Sequence, residues 1–192
     1  MATPKFITAR LVAGLPEAQH NAMLAYRYCP YPVINMIFDR PVYSRAYDTW
    51  CPGNSFSDFI VADWVLQNRG GYKQEHNILT FYTPLREAQR ATLLPTESCQ
   101  ELAAQVLADF QNLQPEFKSA EPIEIHFYRR GHPMFLPTPG NFTKTIPVAN
   151  QPLARIYFAN TDSVGPISEV SGAVEAARRS SEWIAKKTGG AS

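Results

Sequence analysis

Absences narrow the reading of this 192-residue chain before any motif is weighed. It has only three cysteines, Cys29, Cys51 and Cys99, an odd number with wide spacing and no C-x-x-C. That excludes a disulfide-framed scaffold and a thiolate zinc module. It points to reduced packing residues in a cytoplasmic protein. No apolar run approaches the length of a membrane span, and the N-terminus lacks a signal-peptide core. An excess of one charge is missing too: 18 Lys and Arg meet 17 Asp and Glu, a net +1. No basic field recruits nucleic acid. His20, His76 and His126 share no ligand spacing with Cys or acidic residues, so no metal is expected. None of the ten glycines stands in G-x-G; the only pairs are Gly70-Gly71 and Gly189-Gly190. A dinucleotide-binding turn is therefore not encoded in these residues.

What is present suits a folded core. Apolar residues make up 45% and charged residues 18%, which argues against disorder. Sixteen prolines and 12% aromatics imply many turns and an aromatic interior. Residues 4–13 and 17–27 read as helices. Two prolines break Tyr28–Pro32. Residues 33–38 follow as a strand that barely alternates, which predicts burial on both faces. Residues 58–62 and 78–82 read as an antiparallel pair around an Asn68–Gly71 turn. A helix runs from Thr96 or Ser98 to about 113; Ser98 and Glu101 have capping-box spacing. Its expected stripe is Cys99, Leu102, Ala103, Val106, Phe110 and Leu113. Residues 123–128 alternate as a half-exposed strand, and 129–140 hold too much Pro and Gly for regular structure. Residues 155–159 read as a short strand and about 168–187 as the last helix. Strands in a run with segregated helices give an α+β class, a mostly antiparallel sheet flanked by helices.

The closing segment is the best candidate site. Arg155–Asp162 reads as an apolar strand ending in an acidic turn. The following helix places Val170, Ala173, Val174, Ala177, Ser181 and Ile184 on one side. Its first turn offers unpaired N–H groups and the positive end of the dipole, and Gly172 permits close approach of a ring or backbone. A phosphate or a flavin's pyrimidine edge suits such an end. The plainer alternative remains open: Gly and Ala pack the helix and Asp162 is a turn residue.

These residues resemble the C-terminal FAD-binding motif of the flavin amine oxidase and phytoene desaturase superfamily. Phe158-Ala159-Asn160-Thr161-Asp162 is similar to the family's Phe-Ala-Gly-(Thr)-Asp/Glu, with Asn160 for Gly. Ser171-Gly172-Ala173-Val174-Glu175-Ala176-Ala177 is similar to Glu-Gly-Ala-Val-Glu-Ser/Ala-Gly, with Ser171 for Glu and Ala177 for Gly. The resemblance implies FAD contacts by Asp162, Val170 and Gly172, and by Thr161 and Ser171. It implies a substrate-binding domain over 1–150, and over 151–192 a strand and helix that complete an absent Rossmann-type FAD domain. On that reading the chain is a truncated or split C-terminal half of an FAD-dependent oxidoreductase, inactive alone. The rival is an accessory module that binds a hydrophobic ligand or pairs with a separate nucleotide-binding subunit. An apolar face left by the missing half implies self-association.

The family's catalytic features are only partly present. The position of its strand lysine falls near Val33 to Asn35, where no lysine stands. Pro133 or Met134 and Glu169 occupy the places of the two aromatics that sandwich an amine. Both departures count against ordinary amine oxidation. They leave the wider class, hydride transfer from a C–N or C–C bond of a small hydrophobic or aromatic substrate, untouched. In the loop Arg130-Gly131-His132, His132 suits substrate orientation or proton relay, and Arg130 a carboxylate or reduced-flavin charge. The alternatives are a loop histidine bonded to backbone and a solvated arginine. Asn35, in an apolar strand, needs a partner if buried.

Overall fold

The computed structural model describes residues 1–67, 69, 75–164 and 169–188. In chain order the elements are α1 (Lys5–Leu11), α2 (Glu17–Leu24), β1 (Arg27–Cys29), β2 (Val33–Phe38), β3 (Asp48–Trp50) and β4 (Asp58–Val61). Then come α3 (Trp64–Gln67), β5 (Asn77–Tyr82), α4 (Thr96–Leu113), β6 (Glu124–Tyr128), β7 (Met134–Leu136), α5 (Ile146–Ala149) and α6 (Val170–Thr188). The α+β class is as expected. Contacts divide the chain into two units, Cys29–His132 and the two ends, Met1–Tyr28 with Pro133–Ser192.

The inner unit is an antiparallel five-stranded sheet in the order β3-β4-β5-β2-β6. Its core face meets α4. Ile34, Met36 and Phe38 of β2 alternate with half-buried Val33, Asn35 and Ile37. Burial of β2 on both faces is thus corrected: apolar Val33 and Ile37 hid a period-two pattern. The α4 stripe is as read, with Cys99, Ala103, Val106 and Phe110 buried and Leu102 and Leu113 packed beside them. Phe110 anchors an aromatic cluster, stacked on Phe117 at 4.6 Å and edge-on to Phe81 at 5.5 Å and Phe59 at 5.6 Å. The Ser98–Glu101 capping box does not form. Pro95 is the N-cap, and the Thr96 hydroxyl accepts from Arg129 instead. Of the two starts read from the sequence, the helix takes the earlier, Thr96. Of the expected 68–71 turn, all but Arg69 lies outside the described residues.

Asn77 fastens the start of β5. Its Oδ1 accepts the Tyr43 N–H at 2.9 Å and the Val42 N–H at 3.2 Å, and its Nδ2 donates to Asp63 at 3.1 Å. The side chain is fully buried. Asn77→Ala strands the buried Tyr43 backbone donor, so urea unfolding is expected to lose about 2 kcal/mol.

The outer unit packs α1, α2 and α5 around Met23, Tyr26, Tyr28, Phe135 and Phe158. Residues 129–140 are not wholly irregular, because Met134–Leu136 pairs with β1 as a two-stranded sheet. Gly140, at φ 86, starts the wide helical turn Asn141–Thr145. The 155–159 strand does not form. Leu153 and Ile156 exchange backbone bonds around Ala154, itself at φ 51, so the chain turns where a strand was expected. Beyond the turn, Tyr157 and Ala159 bond only to Met1, through its ammonium at 2.6 Å and its carbonyl at 2.8 Å. One residue of pairing makes no ladder.

Candidate functional site

The acidic turn is built from the N-terminal segment. Asn160 leads into the short 3₁₀ turn Thr161–Ser163. Asp162 points inward, and both it and Lys5 are only 1% exposed. Lys5 Nζ donates to Asp162 Oδ1 at 2.7 Å and to Ser163 Oγ at 2.8 Å. Tyr28 donates its hydroxyl to Asp162 Oδ2 at 2.5 Å, and the Lys5 N–H reaches the same oxygen at 3.2 Å. Tyr26 holds the Asp162 carbonyl at 2.9 Å. Burial pushes the Lys5 ammonium below its ordinary value, while Asp162 pulls it back up. Burial, then the Asp162 charge, pushes the Tyr28 phenol up. Asp162 is therefore a closed internal ion pair, not an acceptor turned outward. A lysine in the first helix, far off in sequence, carried no motif signal for this.

Among the described residues the start of α6 is uncovered. Val170 is 79% exposed, Ser171 is exposed and Gly172 is half-buried. The Ser171 hydroxyl donates to Glu169 at 2.6 Å. Thr161 is half-buried before Asp162. The buried side of α6 is Ala176 and Ser180, with half-buried Ala173, Arg179 and Trp183 beside them. Of the side read from the sequence, Val170, Val174, Ala177, Ser181 and Ile184 are all exposed. Arg179 donates to the Ser163 carbonyl at 3.2 Å, and its buried Nε has no partner among the described residues. An orphaned donor beside the acidic turn and an open helix end fit an acceptor-rich ligand such as a flavin's pyrimidine edge or a phosphate. Asp162 in this geometry does not contribute to that fit.

Arg130 and His132 belong to the other unit. Arg130 is exposed, and its carbonyl accepts the Tyr31 N–H at 2.8 Å. His132 is exposed at the rim of a cleft of about 670 Å³ lined also by Glu87, Arg90, Leu94 and Arg129. Arg90 Nε fixes this loop through the Gly131 carbonyl at 3.0 Å. Burial and then the Arg90 charge lower the His132 pKa, with Glu87 opposing. Both lowering effects favour the neutral imidazole, which can donate and accept.

The sheet's second face holds residues that sequence reasoning largely missed. Asn35 lies opposite Thr80 and His126, and Asp58 opposite Tyr82. Asn35 Oδ1 is buried without a partner among the described residues. Burial raises the Asp58 pKa; a Ser57 hydrogen bond opposes this and the Asp48 charge adds to it. Tyr31 and Tyr82 lie 5.9 Å apart. Asn35 alone carried a signal, a polar residue inside an apolar run. Among the described residues no cluster of three metal-ligating side chains exists, and no helix is long and apolar enough to cross a membrane.

No protein-family model and no curated protein matches the sequence. Solved structures do match. A putrescine oxidase variant, A394C, superposes with a TM-score of 0.73 at 17% identity, over 97% of this chain and 42% of its own. Wild-type putrescine oxidase bound to putrescine gives 0.73 and 17%, over 96% and 42%. Cyclohexylamine oxidase from Brevibacterium oxydans IH-35A gives 0.73 at 13% identity, over 98% and 42%. The chain has a partial flavin amine oxidase fold. At these identities the likeness is one of fold. The chain spans about two fifths of the length of these oxidases. Within a flavin amine oxidase fold, Val33–Asn35 on β2 still offers no lysine.

Proposed function

We propose that this chain supplies the substrate-binding region and the C-terminal flavin-contacting helix of an FAD-dependent oxidoreductase. The Gly-rich dinucleotide-binding part comes from other residues, either of a longer protein or of a separate subunit. The observation that carries the reading is the apolar, uncovered side of α6 beside an open helix end, in a chain with this fold. Val170 and Val174 are 79% and 62% exposed there, which is what a face meant for another domain looks like.

Bound FAD supplies the hydride acceptor. The chain's own residues do the rest. The amides at Val170, Ser171 and Gly172 hold an acceptor edge of the flavin at the helix terminus, where backbone donors and dipole favour it. Thr161 flanks that edge. Asp162 acts as a positioning residue: through Lys5 and Tyr28 it ties the turn before α6 to α1. His132 orients substrate or moves a proton, and Arg130 attracts a carboxylate. The sheet's second face receives a small substrate with an aromatic or apolar body. There Tyr31 and Tyr82 offer ring surface, and Asn35 Oδ1 accepts a hydrogen bond.

Flavin analysis tests the reading. The purified chain alone is expected to hold no stoichiometric FAD, and the chain combined with a dinucleotide-binding polypeptide is expected to hold it. FAD retained by the chain alone refutes the need for a second part. Absence of FAD from the combined protein refutes the oxidoreductase reading and leaves the ligand-binding module.

A further inference from the structure

We propose that a second copy of this chain pairs with the free edge of β6, antiparallel, across a two-fold axis through Ile125. The edge is open: β6 ends the sheet, and no described residue pairs with its outer side. Glu124–Tyr128 contains no proline or lysine, two of the devices that blunt an edge. Ile123 and Ile125 are 59% and 42% exposed, a high value for β-branched residues beside a core.

The sequence of the edge is self-complementary. Ile125 and Phe127 lie opposite Met36 and Ile34, so they share the core face, while Glu124 and His126 share the other. With Ile125 facing itself across the axis, Glu124 faces His126 of the second copy. Apolar residues then meet apolar ones on one face, and a carboxylate meets an imidazole on the other. Glu124 and His126 already touch within one chain at 2.8 Å, so the dimer gathers two such pairs into one cluster. Shifting the axis to His126 sets imidazole against imidazole and loses the match. A two-fold axis normal to the sheet keeps each face continuous and closes the assembly at two copies.

The flank of the edge supports the same occupant. A groove of about 440 Å³ runs between α4 and β6, lined by Ala103, Leu107, Ile125 and Phe127. It opens on the core-face side, where Ile125 of the second copy arrives. Main-chain bonds give such a contact affinity, and the filled groove gives it register.

Sedimentation equilibrium on the full chain, from low to high micromolar, is expected to show a mass rising from 21.5 kDa towards twice that value. Ile125→Lys is expected to remain monomeric with an unchanged circular dichroism spectrum. Glu124→Lys is expected to weaken association about tenfold, and adding His126→Glu to it restores wild-type association. These two positions are exposed, so the charge swap decides the matter even if Ile125→Lys misfolds. A chain that stays monomeric at high micromolar overturns the proposal, as does a folded Ile125→Lys that associates normally or a double variant that fails to recover. Protection of β6 amides only when a dinucleotide-binding polypeptide is added, with the chain itself monomeric, assigns the edge to that polypeptide instead.

Discussion

Lys5→Met is expected to cost about 3–5 kcal/mol in urea unfolding, among the largest losses available to a single substitution here. The change removes Lys5, the cation that bonds Asp162 among the described residues, and leaves a carboxylate of 1% exposure with the Tyr28 hydroxyl and one backbone N–H. Most of the cost is the buried, uncompensated charge, not the lost attraction. Burial already outweighs Asp162 in its effect on Lys5, which lowers the ammonium pKa. An ion pair with that balance is weakly favourable at best. The double variant Lys5→Met/Asp162→Leu is therefore expected to recover most of the loss. The cycle separates two roles: a structural pair gives non-additive losses, whereas a carboxylate kept for a ligand leaves Lys5→Met nearly silent. A Lys5→Met loss below about 1 kcal/mol, within the range of exposed pairs, means that Asp162 is not closed as described.

The Asp162 pair also marks the limit of what was legible. Local periodicity revealed α4 because Cys99, Ala103, Val106 and Phe110 recur at helical spacing and one face is all that packs. The antiparallel partnership of β4 and β5 followed from two apolar runs with turn residues between them, and it is present in register from Asp58 with Tyr82 to Val61 with Leu79. What failed depended on distant partners. Residues 155–159 have strand composition, yet among the described residues their backbone bonds go only to Leu153, within a turn, and to Met1, and propensity without a ladder does not make a strand. Asp162 reads from its sequence neighbours as a turn residue or a cofactor contact, while Lys5, which pairs with it inside the fold, lies 157 positions away. Asn35 was legible as a problem, a polar group in an apolar strand. Only the sheet register placed it opposite Thr80 and His126.

The exposed side of α6 was legible as a pattern and changed meaning in the structure. Val170, Val174 and Ile184 have the spacing of a buried stripe but remain exposed, while Ala176 and Ser180 make the intramolecular contacts. Two usable faces on one helix suit the proposed packing of α6 against a second body. The flavin reading gains from this, since the same helix begins with the open amides that a cofactor needs.

Gly172→Leu tests that end directly. A leucine inside a helix is favoured over glycine by about 0.8 kcal/mol, so the helix and its packing are expected to survive or gain slightly. Flavin retention is expected to fall at least about tenfold in protein recombined with a dinucleotide-binding polypeptide. The reason is steric: the first turn of α6 meets a planar ring only where no side chain stands between ring and backbone. Gly172→Ala is expected to fall between the two, because a methyl group costs part of the approach distance. The readouts are flavin absorbance after gel filtration and urea midpoint, measured on the same samples. Lost flavin with an unchanged midpoint supports a close approach at Gly172. Unchanged flavin in Gly172→Leu removes the helix terminus from the cofactor site, and a collapsed midpoint gives Gly172 a packing role instead.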